Sequence, residues 1–327
     1  MSASAHITAC IITRNEQRVI GRCLNSLRNH KMDICVLDTG SEDRTVSIAR
    51  RHVANIKIYT GCNNERNQME DFSDARNACL SMVKTGWILW IDADEILEDP
   101  GCRLKSHAIR DDISGLRIRV QSGETRWHSL RFFRRMPTHR FVGKVHEFVT
   151  VSGTIDIEPA VAIHNFPNKK GKESALRRDF RLCTLALKDN PNDTRMIFYL
   201  ARALQGMNRY SDAILEYRRY LQLERRFTAG RHAAVFEMAV CYLFQRKWAQ
   251  CIRLAKAAVH LEPRLAEAHC LIGDAYMAVS HIERAKKWYK SAMSCTLPPV
   301  YPLFVCESFY YSYPAKQLAR LRKLSAK

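Results

Sequence analysis

Two carboxylates one residue apart, Asp92 and Asp94, stand at the end of the short apolar run Trp87-Ile88-Leu89-Trp90-Ile91. Carboxylates so spaced beyond a buried strand offer hard oxygen ligands to Mg²⁺ or Mn²⁺. An ion held there can bridge a diphosphate and neutralise the charge that develops as a nucleotide leaves. The same triplet also suits a solvated loop or a helix N-terminus, so its company decides. Two further strand ends supply polar groups: Thr13-Arg14-Asn15-Glu16 and Asp38-Thr39-Gly40-Ser41. His164, after the apolar Ala162-Ile163, is either a structural imidazole or a late ligand to metal or phosphate. No G-x-G-x-x-G follows the first strand and no G-x-x-x-x-G-K-[ST] occurs, which argues against the usual dinucleotide and P-loop sites.

These groups need a sheet to position them, and the first half of the chain has the pattern of one. Short β-rich runs at 7–12, 34–37, 56–59 and 87–91 alternate with amphipathic stretches that read as helices near 19–27, from about Ser41 to Thr45 onward, and over Ser73 to Lys84. Such alternation predicts an α/β fold with a mostly parallel sheet and helices on both faces. Ligands then bind beyond the carboxyl ends of the strands, where the three polar clusters lie. Arg117 to Lys144 is dense in arginine and carries Trp127, Phe132, Phe133 and Phe141. It suits either an acceptor-facing loop, with aromatics for stacking, or an amphipathic strand pair with its apolar side buried.

After about Pro167 the strand signals stop. Lys172 to Lys188 reads as a linking helix closed by Asn190-Pro191, and three helical hairpins follow. Leu200-Ala201, Met238-Ala239 and Ile272-Gly273 correspond, as do Tyr210, Trp248 and Ile282, and Ala213, Cys251 and Ala285. The offsets are 38 and then 34 residues, the second being the tetratricopeptide period. A tail rich in aromatics (Tyr301, Phe309, Tyr310, Tyr311, Tyr313) reads as a cap on the array or a segment that docks back on the first domain. The predicted boundaries are 1–167, a linker 168–191, repeats 192–296 and a cap 297–327.

Taken together, Thr13-Arg14-Asn15-Glu16, Asp38-Thr39-Gly40-Ser41, Phe72-Ser73-Asp74-Ala75-Arg76-Asn77 and Asp92-Ala93-Asp94-Glu95 resemble, in order and spacing, the family-2 glycosyltransferases of the GT-A fold. The resemblance is strong over about the first 100 residues. Val145-His146-Glu147 and the helical repeats are similar to the subgroup with tetratricopeptide repeats behind the catalytic domain, which includes enzymes acting on bacterial surface polysaccharides and others acting on peptides. This implies that Asp38 hydrogen-bonds the nucleotide base, plausibly a uracil, and that Arg76 and Asn77 lie over the nucleotide with Arg14 and Glu16 lining the same pocket. A helix-surface ion pair with Asp74 or Glu70 is the rival role for Arg76. It implies Asp94 as the principal metal ligand, with Asp92 on the ribose or a metal-bound water. Glu147 becomes the carboxylate that takes the acceptor's proton in an inverting transfer, with His146 orienting it or binding diphosphate.

The charge is lopsided. Of the formal net +19, residues 1–167 hold 23 Lys and Arg against 20 Asp and Glu, whereas residues 168–327 hold 29 against 13. A net of +16 on the second half raises the local concentration of anions. A helical domain that simply carries Lys and Arg on its solvated faces is the plainer explanation. The expected partners are a nucleoside-diphosphate sugar as donor and a large anionic acceptor, either a phosphorylated surface polysaccharide, lipopolysaccharide core or other lipid-linked glycan, or modified DNA. A peptide acceptor and peripheral membrane contact stay open. The alternatives are a non-catalytic adaptor and a nucleic-acid-binding protein with a relic transferase domain. No apolar run reaches the roughly 20 residues of a membrane helix, and no secretory signal is evident. The 12 cysteines are scattered with no C-x-x-C pair, as in a reducing, cytoplasmic setting.

Overall fold

A computed structural model describes residues 6–53, 55–84, 86–168, 173–300 and 304–325. The chain divides into two compact units. The first holds residues up to Gly123 and His128–Ser174; the second holds Glu124–Trp127 and Ala175 onward.

In the first unit, strands β1 (Ile7–Thr13), β2 (Asp33–Asp38), β3 (Asn55–Ile58) and β4 (Trp87–Trp90) alternate with helices α1 (Ile20–Arg28), α2 (Thr45–Arg50) and α3 (Phe72–Leu80). Then come β5 (Glu95–Glu98), α4 (Arg103–Ala108), β6 (Gly115–Ser122), β7 (Thr125–Arg134), β8 (Arg140–Val142), β9 (Phe148–Thr150) and β10 (Ile155–Asn165). The main sheet runs β3-β2-β1-β4-β7-β6-β10-β5, and β8 and β9 form a separate ribbon. From β3 to β4 every pair is parallel, as the strand–helix alternation requires. Beyond β4 the sheet turns mixed, with β7 antiparallel to β4 and β5 antiparallel to β10. The change follows from connection length: β6 and β7 are joined by Gly123-Glu124 alone, too short for a crossover helix. Arg117 to Lys144 is therefore mostly strand, with Phe132 and Phe133 fully buried.

Both faces of the sheet are covered. Cys10, Leu37, Ile88 and Trp90 pack with Ala75, Cys79 and Leu80 of α3. Residues of the opposite parity, Ala9, Ile11, Val36 and Leu89, are equally inaccessible on the other side. α3 opens with Asp71, whose side chain accepts the Asp74 amide at 3.0 Å, and ends at Leu80 rather than Lys84.

The second unit is an array of helices. α5 (Ala175–Asp189) packs against α6 (Thr194–Gly206), so it is the first layer of the array and more than a tether; Lys172, its expected start, lies outside the described residues. Hairpins follow as α6 with α7 (Tyr210–Leu223), α8 (Thr228–Phe244) with α9 (Trp248–Leu261), and α10 (Ala266–Ala278) with α11 (Ile282–Met293). The equivalent residues Tyr210, Trp248 and Ile282 are each the first residue of a hairpin's second helix. The small residues sit where helices touch: Ala201, Ala239, Ala213, Cys251 and Ala285 are fully buried. A Cβ on Gly273 would lie 2.6 Å from the Tyr289 ring.

Strands do not stop entirely after Pro167. A two-residue strand β11 (Val305–Cys306) pairs antiparallel with Thr125–Arg126, too short to leave a periodic signal. α12 (Ser308–Tyr311) and α13 (Tyr313–Ser325) then cap the array; Tyr301 lies outside the described residues. Two carboxylates of α10, seven residues apart, anchor that cap. Glu267 accepts the Tyr310 hydroxyl at 2.9 Å and the Cys306 amide at 3.0 Å. Asp274 accepts the hydroxyls of Tyr289 at 2.7 Å and Tyr313 at 2.8 Å. All 12 cysteines are free thiols, and no helix among the described residues is long and apolar enough to cross a membrane.

Candidate active site

The ends of β1, β2 and β4 and the turn before β9 carry the polar residues of interest. Their junction is Arg76. It projects from α3 into the core side of the sheet, 6% exposed, with its guanidinium 4.3 Å above the Trp90 ring. Its Nε donates to Glu147 Oε1, and its second terminal nitrogen donates to Asp92 Oδ1 at 2.6 Å. One guanidinium thus joins the acidic turn after β4 to the Val145-His146-Glu147 turn, reaching 16 residues along the chain to Asp92 and 71 to Glu147. Burial works against its charge, but Asp92 and Glu147 outweigh that and hold it above the ordinary arginine range, so it stays cationic. The expected rival, an ion pair with Asp74 on the helix surface, is not formed. Asp74 instead accepts the Tyr59 hydroxyl at 2.8 Å.

Asn77, the next residue, clamps the backbone of β8. Its amide donates to Phe141 O at 2.9 Å and its carbonyl accepts from Phe141 N at 2.7 Å. With both ends of the amide engaged, Asn77 braces the strand that leads to Glu147. His146 takes a left-handed backbone (φ 51°), so the turn presenting Glu147 is tight.

At the end of β2, the Asp38 carboxylate accepts the amides of Gly40 and Ser41 at 3.0 and 2.8 Å and the Ser41 hydroxyl at 2.5 Å. At 1% exposure it is buried under its own loop. At the end of β1, Thr13 O accepts the Thr39 amide at 2.9 Å, while the buried Thr13 hydroxyl has no partner among the described residues. Arg14 is half-exposed on the following loop. Glu16 is buried; its carboxylate accepts the Asn168 side chain at 3.0 Å and its amide donates to Thr45 Oγ1 at 2.7 Å. Thr13, Glu16 and Asp38 therefore shape the loops at the strand ends.

Asp92 and Asp94 are both half-exposed. His164 does not join them: its Nε2 lies 2.6 Å from Glu98 Oε2, an acid two residues beyond its register partner Ile96. Among the described residues no three His, Cys, Asp or Glu side chains gather as a metal site. The donor set fits Mg²⁺ or Mn²⁺ only as a carboxylate pair completed by phosphate oxygens and water, which is how Mg²⁺ is commonly held beside a nucleotide. His164 is not gathered with that pair among the described residues; its Nε2 meets Glu98.

Sequence reasoning passed over two residues that matter to the acidic turn. Glu95, immediately after the triplet, is 1% exposed and forms a two-pronged pair with Arg131 of β7. Burial pushes its carboxyl up to about 7, with Arg131 pulling the other way and Asp92 adding to the rise. Arg131 was one of seven arginines in its stretch, and only the β4–β7 pairing places it there. A faint signal existed, since Arg131 directly precedes Phe132 and Phe133 and sits where a buried strand would put an inward residue.

At the strand ends of this α/β sheet, an acidic turn is tied through a buried arginine to a second acidic turn. Residues 8–156 match the model of glycosyl transferase family 2. Residues 8–156 thus carry the family-2 match, and the helical hairpins of the second unit follow it in the chain. The chain is similar to the SPbeta prophage-derived glycosyltransferase SunS of Bacillus subtilis, at 28% identity over 255 residues, covering 74% of this chain and 59% of that one. It is also similar to a TPR repeat-containing protein of Synechococcus elongatus, at 34% identity over 153 residues, covering 45% and 36% respectively. The chain thus spans between about a third and three-fifths of the length of these curated relatives. Among solved structures, the crystal structure of MamA aligns with a TM-score of 0.38 and 13% identity over 47% of this chain and 86% of that one, too distant to bear on function.

Proposed function

We propose that this chain transfers a sugar from a nucleoside-diphosphate sugar to a large acceptor, with inversion at the anomeric carbon. The observation that carries the reading is the Asp92–Arg76–Glu147 bridge, which brings a metal-type acidic turn and a candidate base to one place. The family-2 domain and the glycosyltransferase relatives support it. In the transfer, an acceptor oxygen attacks the anomeric carbon as the bond to the diphosphate breaks, and the acceptor's proton passes to a carboxylate. Glu147 has that role in this reading. Arg76 pairs with it and fixes its position, and His146 beside it orients the turn. Asp94 and Asp92 would hold Mn²⁺ or Mg²⁺, whose charge offsets that of the departing diphosphate.

A uridine donor is favoured through Asp38. That preference requires the Gly40–Ser41 loop to release the carboxylate it now covers. The acceptor is large and anionic, a phosphorylated surface glycan or modified DNA, as the net +16 of residues 168–327 suggests. Calorimetry with UDP, GDP, CDP and their sugar conjugates, with and without Mn²⁺, tests the donor side. Metal-dependent binding of one nucleotide class by the wild type, lost in Asp94→Ala, is expected. A folded protein that binds none of them would overturn the reading. Turnover that persists near normal in Glu147→Gln but disappears in Asp94→Ala would remove Glu147 as the base.

A further inference from the structure

The turn bearing Asp92 and Asp94 is closed twice. Glu95 N donates to Asp92 O at 3.0 Å, and Asp92 N donates to Glu95 Oε2 at 2.8 Å, so the backbone and side chain of Glu95 both return to Asp92. The Glu95 side chain is itself fixed. Arg131 donates to Glu95 Oε2 at 3.0 Å and to Oε1 at 2.9 Å, the parallel fork that makes arginine–carboxylate pairs directional. The flat guanidinium of Arg131 lies 3.7 Å over Trp90, and the Trp90 indole N–H donates to Leu130 O at 2.6 Å, one residue before Arg131. The far side of the turn is held as well, since Asp94 O accepts the Phe166 amide at 2.9 Å and Glu95 stands opposite Asn165 in the β5–β10 ladder.

Asp92 is consequently placed between two guanidiniums that share one indole. Arg76 holds Oδ1 at 2.6 Å and Arg131 stands 4.0 Å from Oδ2. A half-exposed aspartate on a surface turn would ordinarily sample several rotamers. Here both the amide and the carboxylate of Asp92 are aimed by neighbours that are themselves buried. A buried ion pair is a poor way to gain stability, because desolvation offsets most of the attraction. Such a pair is well suited to holding one geometry, and both of its members also reach Asp92.

We propose that Arg131 and Glu95 are positioning residues that preset the Asp92–Asp94 turn for the diphosphate end of the donor. Neither touches the substrate; both act through Asp92. The inference rests on the donor reading for its functional consequence, but its structural half stands apart from it.

The experiment therefore has two readouts on Arg131→Lys, which keeps the charge and loses the fork, and on the isosteric Glu95→Gln. Amide hydrogen exchange at Asp92 reads the brace without any ligand. An acceleration of at least about tenfold at Asp92, with exchange in β1 and β2 unchanged, is expected in either variant. Calorimetry then reads the consequence: the Mn²⁺-dependent Kd for the donor rises about tenfold or more, while binding of the nucleoside lacking phosphates stays as in wild type. If one variant fails to fold, the other carries the test. Unchanged exchange at Asp92 in a folded variant overturns the brace. Accelerated exchange with donor affinity unchanged overturns the positioning role. If wild type binds no donor while Asp92 exchange still responds, the donor reading has failed and the brace has not.

Discussion

The two units bury carboxylates in different company. At the strand ends of the first, Glu95, Glu147 and Asp92 face arginines; in the helical unit, Glu267 and Asp274 face tyrosine hydroxyls and a backbone amide. Both solutions satisfy an acid that burial would otherwise drive toward its neutral form, and burial does push Glu267 and Asp274 above the usual carboxylate range. The difference lies in what is left over. Arginine pairing leaves Asp92 half-exposed at a surface turn, as the proposed donor site requires. Tyrosine pairing consumes the carboxylate in fastening α12 and α13 to α10. On the proposed function the first arrangement serves a ligand and the second the fold, so substitutions should separate activity from stability along that line.

The sharpest break in the contrast is expected at Asp94. Asp94→Ala lowers sugar transfer by roughly 10²–10³-fold or more, the scale for removing a group that stabilises developing charge. Because the side chain is half-exposed, its urea midpoint stays near that of wild type. Asp274→Ala does the reverse. It strands the hydroxyls of Tyr289 and Tyr313 and lowers stability by about 3 kcal/mol in urea denaturation, leaving donor affinity unchanged. A loss of donor binding there would erase the proposed division of labour.

A pH effect of similar or smaller size belongs to His232 in the helical unit. Burial lowers its imidazole to about 4, against 6.5 in an unfolded chain. The stability this group contributes is present above pH 6.5 and is lost as pH falls from 6.5 toward 4, because the unfolded state takes the proton first. The loss should reach at most about 3 kcal/mol. In His232→Phe the urea midpoint should fall less steeply across that window, and an unchanged slope would assign the acid sensitivity elsewhere. The smallest effect is Tyr313→Phe, about 1 kcal/mol, since Tyr289 still satisfies Asp274.

Legibility in the sequence followed the range of the interaction that carried the signal. The parallel half of the sheet was visible because each strand is followed at once by its own amphipathic helix. The hairpins were visible because equivalent residues recur at a fixed offset, and Tyr210, Trp248 and Ile282 do open equivalent helices. The mixed half of the sheet was not, since β6 to β10 are joined without intervening helices and β7 and β10 pair with the distant β4 and β5. At the site, residue types were readable while contacts were not. Arg76 and Glu147 were both singled out, yet nothing in the local sequence says that they meet. The clamp of Asn77 on the β8 backbone was equally invisible in the local sequence.

The sequence by itself determined the two-part architecture, the place of the acidic turn at a strand end and the imbalance of charge between the halves. Each depends on periodicity or composition within a few dozen residues. Only the tertiary structure decided which partner faces which acid: Arg76 faces Asp92 and Glu147, Arg131 faces Glu95, and His164 faces Glu98. Such pairings depend on strand order and on the face from which each side chain enters, and both are fixed when the sheet closes.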